Sequence, residues 1–157
     1  MMKKLLFAAA IACLSLFTSC EKVDHTGDET GTLYGVWALD SKTEITENDE
    51  GQEVRNEVDY SGVHFYLSLS EPRLAIAKKG SFTEADLDDV DVDAVTFSYN
   101  ADKKQIQFDK TLWLSEGLIY NMRLFGTYDI LELTNERFSF QQELLGVTTI
   151  YTYHRFQ

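Results

Sequence analysis

Apolar and polar residues alternate with a period of two along most of this chain. Val63, Phe65, Leu67 and Leu69 alternate with Gly62, His64, Tyr66 and Ser68. The same spacing recurs at Val95, Phe97 and Tyr99, at Ile106 and Phe108, and at Phe138 and Phe140. Successive side chains of a strand point to opposite faces, so this spacing predicts strands with one buried and one wet face. The end of the chain, Val147 to Phe156, is rich in Thr, Tyr and Ile, which suit a pleated, half-buried surface. No long stretch carries helical spacing.

Turn chemistry divides the strands. Asn48-Asp49-Glu50-Gly51, Asn100-Ala101-Asp102-Lys103, Asn135-Glu136 and Gly146 are residue types that tolerate tight turns. The pattern predicts strands over Leu33–Thr46, Glu53–Tyr60, Gly62–Ser70, Arg73–Lys79, Ala94–Asn100 and Lys104–Asp109. Two longer ones follow: Ile119–Thr134, broken near Gly126, and Arg137–Phe156, folded back near Gly146. The expected fold is all-β, an antiparallel eight-stranded up-and-down barrel, with a β-sandwich as the alternative. Closing a barrel removes the open edges that a chain with one proline, Pro72, has few other means to protect.

The first twenty residues follow a different pattern. Met1-Met2-Lys3-Lys4 precedes an apolar run from Leu5 to Phe17, and Thr18-Ser19 leads into Cys20. The run is short for a membrane-spanning helix, which needs about 20 apolar residues. An ordinary secretory leader ends in small residues, not in a cysteine. The segment resembles a bacterial lipoprotein signal. The resemblance implies cleavage after residue 19, a lipid thioether on Cys20 and an acylated new amino terminus, palmitate being a typical chain. Several chains hold a protein on a membrane almost permanently, each buried methylene contributing about 0.8 kcal/mol. The other cysteine, Cys13, leaves with the leader. The mature domain then has no disulfide, no thiol nucleophile and no cysteine ligand for zinc.

Residues 20–32 read as a polar tether, and residues 33–157 as one folded domain. A mature chain of about 138 residues buries roughly two thirds of its unfolded surface, enough for a core without covalent staples. The full chain carries a net charge of -12. Loss of Lys3 and Lys4 makes it more negative still. Such a surface repels phosphates, which argues against nucleic-acid binding.

Leu33-Tyr34-Gly35-Val36-Trp37-Ala38-Leu39 carries the pattern L-x-G-x-W-x-L at the start of the first strand. Together with Thr96 to Asn100, Lys104 to Phe108, Tyr128 to Leu133 and the closing Tyr151 to Phe156, it resembles the lipocalin-like lipoproteins of Bacteroidota. The resemblance covers about Leu33 to Phe156. It implies a barrel whose closed base is plugged by Trp37, a close approach at Gly35, and Arg155 of the last strand packed across the indole. It also implies a cell-envelope location, lipid-anchored at the outer membrane and either periplasmic or surface-exposed. The acidic residues soon after Cys20 loosely resemble surface-export signals of the same group.

Candidate chemistry is sparse. Residues 81–93 carry Asp89-x-Asp91-x-Asp93, the start of a calcium-loop spacing. Ala94 stands where such a loop needs glycine, and Asn100 where it needs glutamate. The stretch reads as a solvated acidic loop. His25, His64 and His154 have no metal-ligand spacing. No nucleophile elbow and no S-x-x-K is present. No metal, cofactor or catalytic residue is expected, and the chain reads as a non-enzyme. Trp113, Tyr120, Met122, Phe125 and Tyr128 form an aromatic-rich cluster around one long strand. They either line a cavity for an apolar or amphipathic ligand or fill the core. Two functions follow: a membrane-anchored, lipocalin-like ligand carrier, or an accessory subunit of an outer-membrane or cell-surface complex with a packed barrel.

Overall fold

The computed structural model describes residues 32–80 and 92–157. The predicted leader, Cys20, His25, most of the tether and most of the acidic stretch lie outside the described residues. The described chain contains nine strands: β1 (Gly35–Glu47), β2 (Glu53–Asp59), β3 (Phe65–Ser70), β4 (Leu74–Lys79), β5 (Val92–Asn100), β6 (Gln105–Glu116), β7 (Tyr120–Leu133), β8 (Arg137–Leu144) and β9 (Val147–Arg155). Each pairing is antiparallel, and β1 also pairs with β9, so one continuous sheet closes on itself. That closure rules out a sandwich of two separate sheets.

Nine strands make an eight-position barrel because β2 and β3 share one side of β1. Gly35 to Ala38 pair with β3, whereas Ser41 to Glu47 pair with β2. β2 is therefore an extra strand that lengthens the wall. Between these two strands the chain turns inward and buries Tyr60. The predicted strand at Gly62–Ser70 accordingly begins only at Phe65. The predicted strand at Arg137–Phe156 resolves into β8 and β9 about Leu145-Gly146. β6 runs on to Glu116, well past the expected end at Asp109.

The strand directions give the barrel two ends. The base holds the start of β1, the end of β9 and the turns β3–β4, β5–β6 and β7–β8. The mouth holds the turns β1–β2, β6–β7 and β8–β9. Aromatic rings fill the axis between them. Trp37 packs on Phe138 at 5.3 Å between centroids, Phe138 on Phe140 at 4.9 Å, and Phe140 on Tyr128 at 5.1 Å. Tyr151 and Tyr153 flank Phe140 from β9. β1 and β9 close the wall, so the described strands surround one shared core.

One hairpin departs from the barrel surface. β6 shifts register between Phe108 and Leu112, and β7 passes through Gly126 at a φ of 70°. β7 pairs with β8 only from Asp129 onward. Before that point the β6–β7 hairpin leaves the wall and crosses the mouth. Leu112, Leu114, Met122 and Leu124 on its inner face are buried, while Trp113 on its outer face is 58% exposed. Tyr60, from the opposite wall, hydrogen-bonds to Asn121 of this hairpin.

Candidate functional site

The base is a structural device. Trp37 is fully buried and donates its indole N–H to the Leu33 carbonyl at 2.9 Å. The Arg155 guanidinium lies 4.1 Å from the centroid of the Trp37 ring. Its nitrogens also donate to the carbonyls of Asn135 at 2.7 Å, Tyr34 at 2.9 Å and Thr32. Gly35 has a φ of 142°, and a Cβ there would meet the Gln157 carbonyl at 2.8 Å as well as the Arg155 guanidinium. Thr32, where the tether meets the domain, is thereby fixed at the base.

The mouth is closed by side chains acting in place of a strand. Where β8 has left β7, the outward backbone groups of residues 121, 123 and 125 lack a strand partner. Buried polar backbone must be satisfied. Tyr60 donates its hydroxyl to the Asn121 carbonyl at 2.7 Å and accepts the Asn121 N–H at 2.8 Å. Tyr151 does the same for Arg123 at 3.1 and 3.2 Å. The Tyr128 hydroxyl accepts the Phe125 N–H at 3.4 Å, and the Gln142 amide donates to the Phe125 carbonyl at 2.9 Å. Burial raises the pKa of these phenols: Tyr128 reaches about 12, and Tyr151, Tyr60 and the wholly buried Tyr153 also move upward.

Beside this seam, between the edge of β7 and the β8–β9 hairpin, lies an open cleft of about 200 Å³. Phe125, Leu144 and Val147 give it apolar walls, and the Tyr128 and Tyr151 rings line it too. Lys42 and Arg123 bring the charge. Lys42 faces this way because β1 slips register between Leu39 and Ser41, which puts Lys42 opposite Tyr151 on the inner face. Its ammonium contacts the Asn121 amide oxygen and the Glu44 carboxylate, each at 2.8 Å. Arg123 lies over the Phe125 ring at 5.1 Å.

The five residues expected either to line one cavity or to fill the core are divided by the hairpin. Met122 and Tyr128 are buried in the core, Trp113 points outward, and Tyr120 packs edge-on against Tyr60 at 5.3 Å. Phe125 and Tyr128 alone of the five border the cleft. Lys42, Arg123, Gln142, Thr149 and Tyr151 also border it and come from four strands, so no linear signal marks them. His64 and His154 both border a surface groove of about 260 Å³, and the His154 Nδ1 lies 2.6 Å from Asp40. Among the described residues no three acidic, histidine or cysteine side chains are grouped to hold a metal.

The rim of the mouth combines bare apolar residues with carboxylates. Leu118 and Leu145, on the β6–β7 and β8–β9 turns, are 101% and 95% exposed, and Ile119 and Leu144 stand beside them. Glu47, Asp49, Glu50, Glu53, Glu116 and Glu143 are exposed at the same end.

No family model and no curated protein matches the chain. Among solved structures, a redesigned β-barrel aligns with 81% of this chain and 94% of its own, at 16% identity and a TM-score of 0.33.

Proposed function

We propose that this chain is a lipid-anchored, non-enzymatic accessory protein of the bacterial cell envelope, whose mouth end docks a protein partner. The observation that carries this reading is the placement of exposed leucines on two turns opposite the tether. A barrel whose axis is filled by Trp37, Phe138, Phe140 and Tyr128 offers its inside to core packing, not to a carried ligand. Water-exposed leucines on adjacent turn tips are costly to leave bare and mark contact surfaces.

Geometry and charge narrow the partner. The tether enters at the base, so a domain anchored through Cys20 presents its mouth away from the membrane. The carboxylates around Leu118 and Leu145 repel an anionic lipid surface and complement a protein face with an apolar centre and a basic surround. A lipocalin-like lipoprotein of the outer membrane is the family setting that fits these features.

Photoreactive side chains placed at Leu118 and, separately, at Asp102 in the base turn test the reading in the host. A discrete protein adduct from position 118, absent from position 102 and lost in an Ile119→Asp, Leu145→Asp background, is the expected result. Equal labelling from both ends, or labelling of lipid alone, overturns it.

A further inference from the structure

The lateral cleft between β7 and β8 has a composition at odds with the rest of the chain. Acidic residues outnumber basic ones, 26 to 14. Yet Lys42 and Arg123 line the cleft and no Asp or Glu does. Counting Glu44, which holds Lys42 from the neighbouring groove, the cleft still carries a net positive charge.

The two cations differ in what they have left to offer. Lys42 is largely buried and already bonded to Asn121 and Glu44, so it contributes a fixed field. The Arg123 guanidinium lies over the Phe125 ring and is solvent-exposed, and a stacked guanidinium keeps its N–H donors for a planar acceptor. The tyrosine hydroxyls of the floor are consumed by the backbone of Arg123 and Phe125 and present ring surface. Phe125, Leu144 and Val147 complete an apolar wall. A cation edge above apolar walls matches a molecule with one anionic planar head and a short hydrocarbon body.

We propose that this cleft binds a small amphipathic carboxylate, its head on Arg123 in the field of Lys42 and its tail between Phe125 and the Leu144–Val147 turn. The site is lateral, outside the packed axis of the barrel, and it stands independently of partner docking at the rim.

Octanoate, octanol and acetate are the probes. Each is titrated into the mature chain from residue 20 carrying Cys20→Ala, which keeps the whole closed barrel, with backbone amide resonances as the readout. Octanoate is expected to shift Arg123, Phe125 and Thr149 saturably, weakening as salt rises. Octanol and acetate are each expected to bind at least tenfold more weakly. R123Q leaves the bonds between Tyr151 and the backbone of residue 123 intact and should weaken octanoate at least tenfold. Phe125→Ala, the second variant, should weaken octanoate but not acetate. The proposal is overturned if octanoate gives no saturable shift in the cleft, if octanol binds as well as octanoate, or if R123Q binds octanoate unchanged.

Discussion

Tyr151 serves Arg123 as a neighbouring strand would: one hydroxyl donates to the Arg123 carbonyl at 3.1 Å and accepts its N–H at 3.2 Å. A phenol can fill both roles because its oxygen is donor and acceptor at once. Tyr60 repeats the device two residues away at Asn121. The hairpin over the mouth is thus fastened by tyrosines whose rings are buried in the core. Lid and core are therefore energetically coupled.

Tyr151→Phe keeps the ring and deletes both bonds. It should cost about 1–3 kcal/mol, chiefly for leaving the Arg123 N–H without a partner, since the Arg123 carbonyl keeps a longer bond from the Tyr128 hydroxyl at 3.3 Å. The loss should be local first. Amide hydrogen exchange at Arg123 should accelerate more than exchange in β8 and β9. Uniform acceleration across the barrel would show that the hydroxyl does not hold the lid.

Alkaline pH should release the same fastening. An unperturbed tyrosine has a pKa of about 10. Burial raises Tyr128 to about 12 in the folded state, and Tyr60, Tyr151 and Tyr153 move the same way. The folded state thus holds phenolic protons that the unfolded chain gives up from about pH 10. Stability is whole below that pH and falls as pH climbs towards the folded values. Urea midpoints measured through this window should drop steeply, and phenolate absorbance should appear together with loss of β circular dichroism. Phenolate absorbance from these tyrosines in a still-folded barrel would contradict the burial.

Much of this architecture was legible from residues alone. Period-two alternation located β3, β5 and β8, and turns at Asn48, Asn100 and Asn135 separated three pairs of neighbours. Three features were not. The end of β6 escaped notice because Trp113 occupies an outward position, so apolar residues stand on both faces and erase the alternation. Lys42 reads as an ordinary surface lysine until the slip after Leu39 turns it inward. The cluster from Trp113 to Tyr128 reads as one inward-facing group, cavity lining or core, because it is close in sequence. On a hairpin, parity divides it: Trp113 sits opposite Arg123 and faces out, while Met122 sits opposite Leu114 and faces in.

Gly35→Ala should destabilise the base without touching the mouth. The φ of 142° is unfavourable for any residue with a Cβ, and the added carbon meets the Gln157 carbonyl and the Arg155 guanidinium. Strain of this kind costs about 1–3 kcal/mol. Near-ultraviolet circular dichroism from Trp37 should change and the thermal midpoint should fall. An unchanged midpoint would mean that the last residues and Arg155 move aside freely.

Trp37 and Arg155 should prove to be one unit. Trp37→Ala removes a fully buried side chain and should cost about 3–5 kcal/mol, a large share of the 5–15 kcal/mol typical of a domain. Arg155→Ala loses the stacking contact and donors to three carbonyls, but the base is wet enough for water to replace some of those bonds, so about 1.5–3 kcal/mol is expected. The stacking contact vanishes in either single variant and can be lost only once. The double variant should therefore lose less than the two single losses together, by about 0.5–2 kcal/mol. Arg155→Lys sharpens the test. It keeps the charge but not the planar fork that reaches Thr32, Tyr34 and Asn135 together, so it should recover only part of the loss. Urea unfolding of the mature chain carrying Cys20→Ala supplies all the free energies. Additive losses would show that the guanidinium acts through its carbonyl bonds alone, and full recovery by lysine would show that charge, not the fork, secures the base.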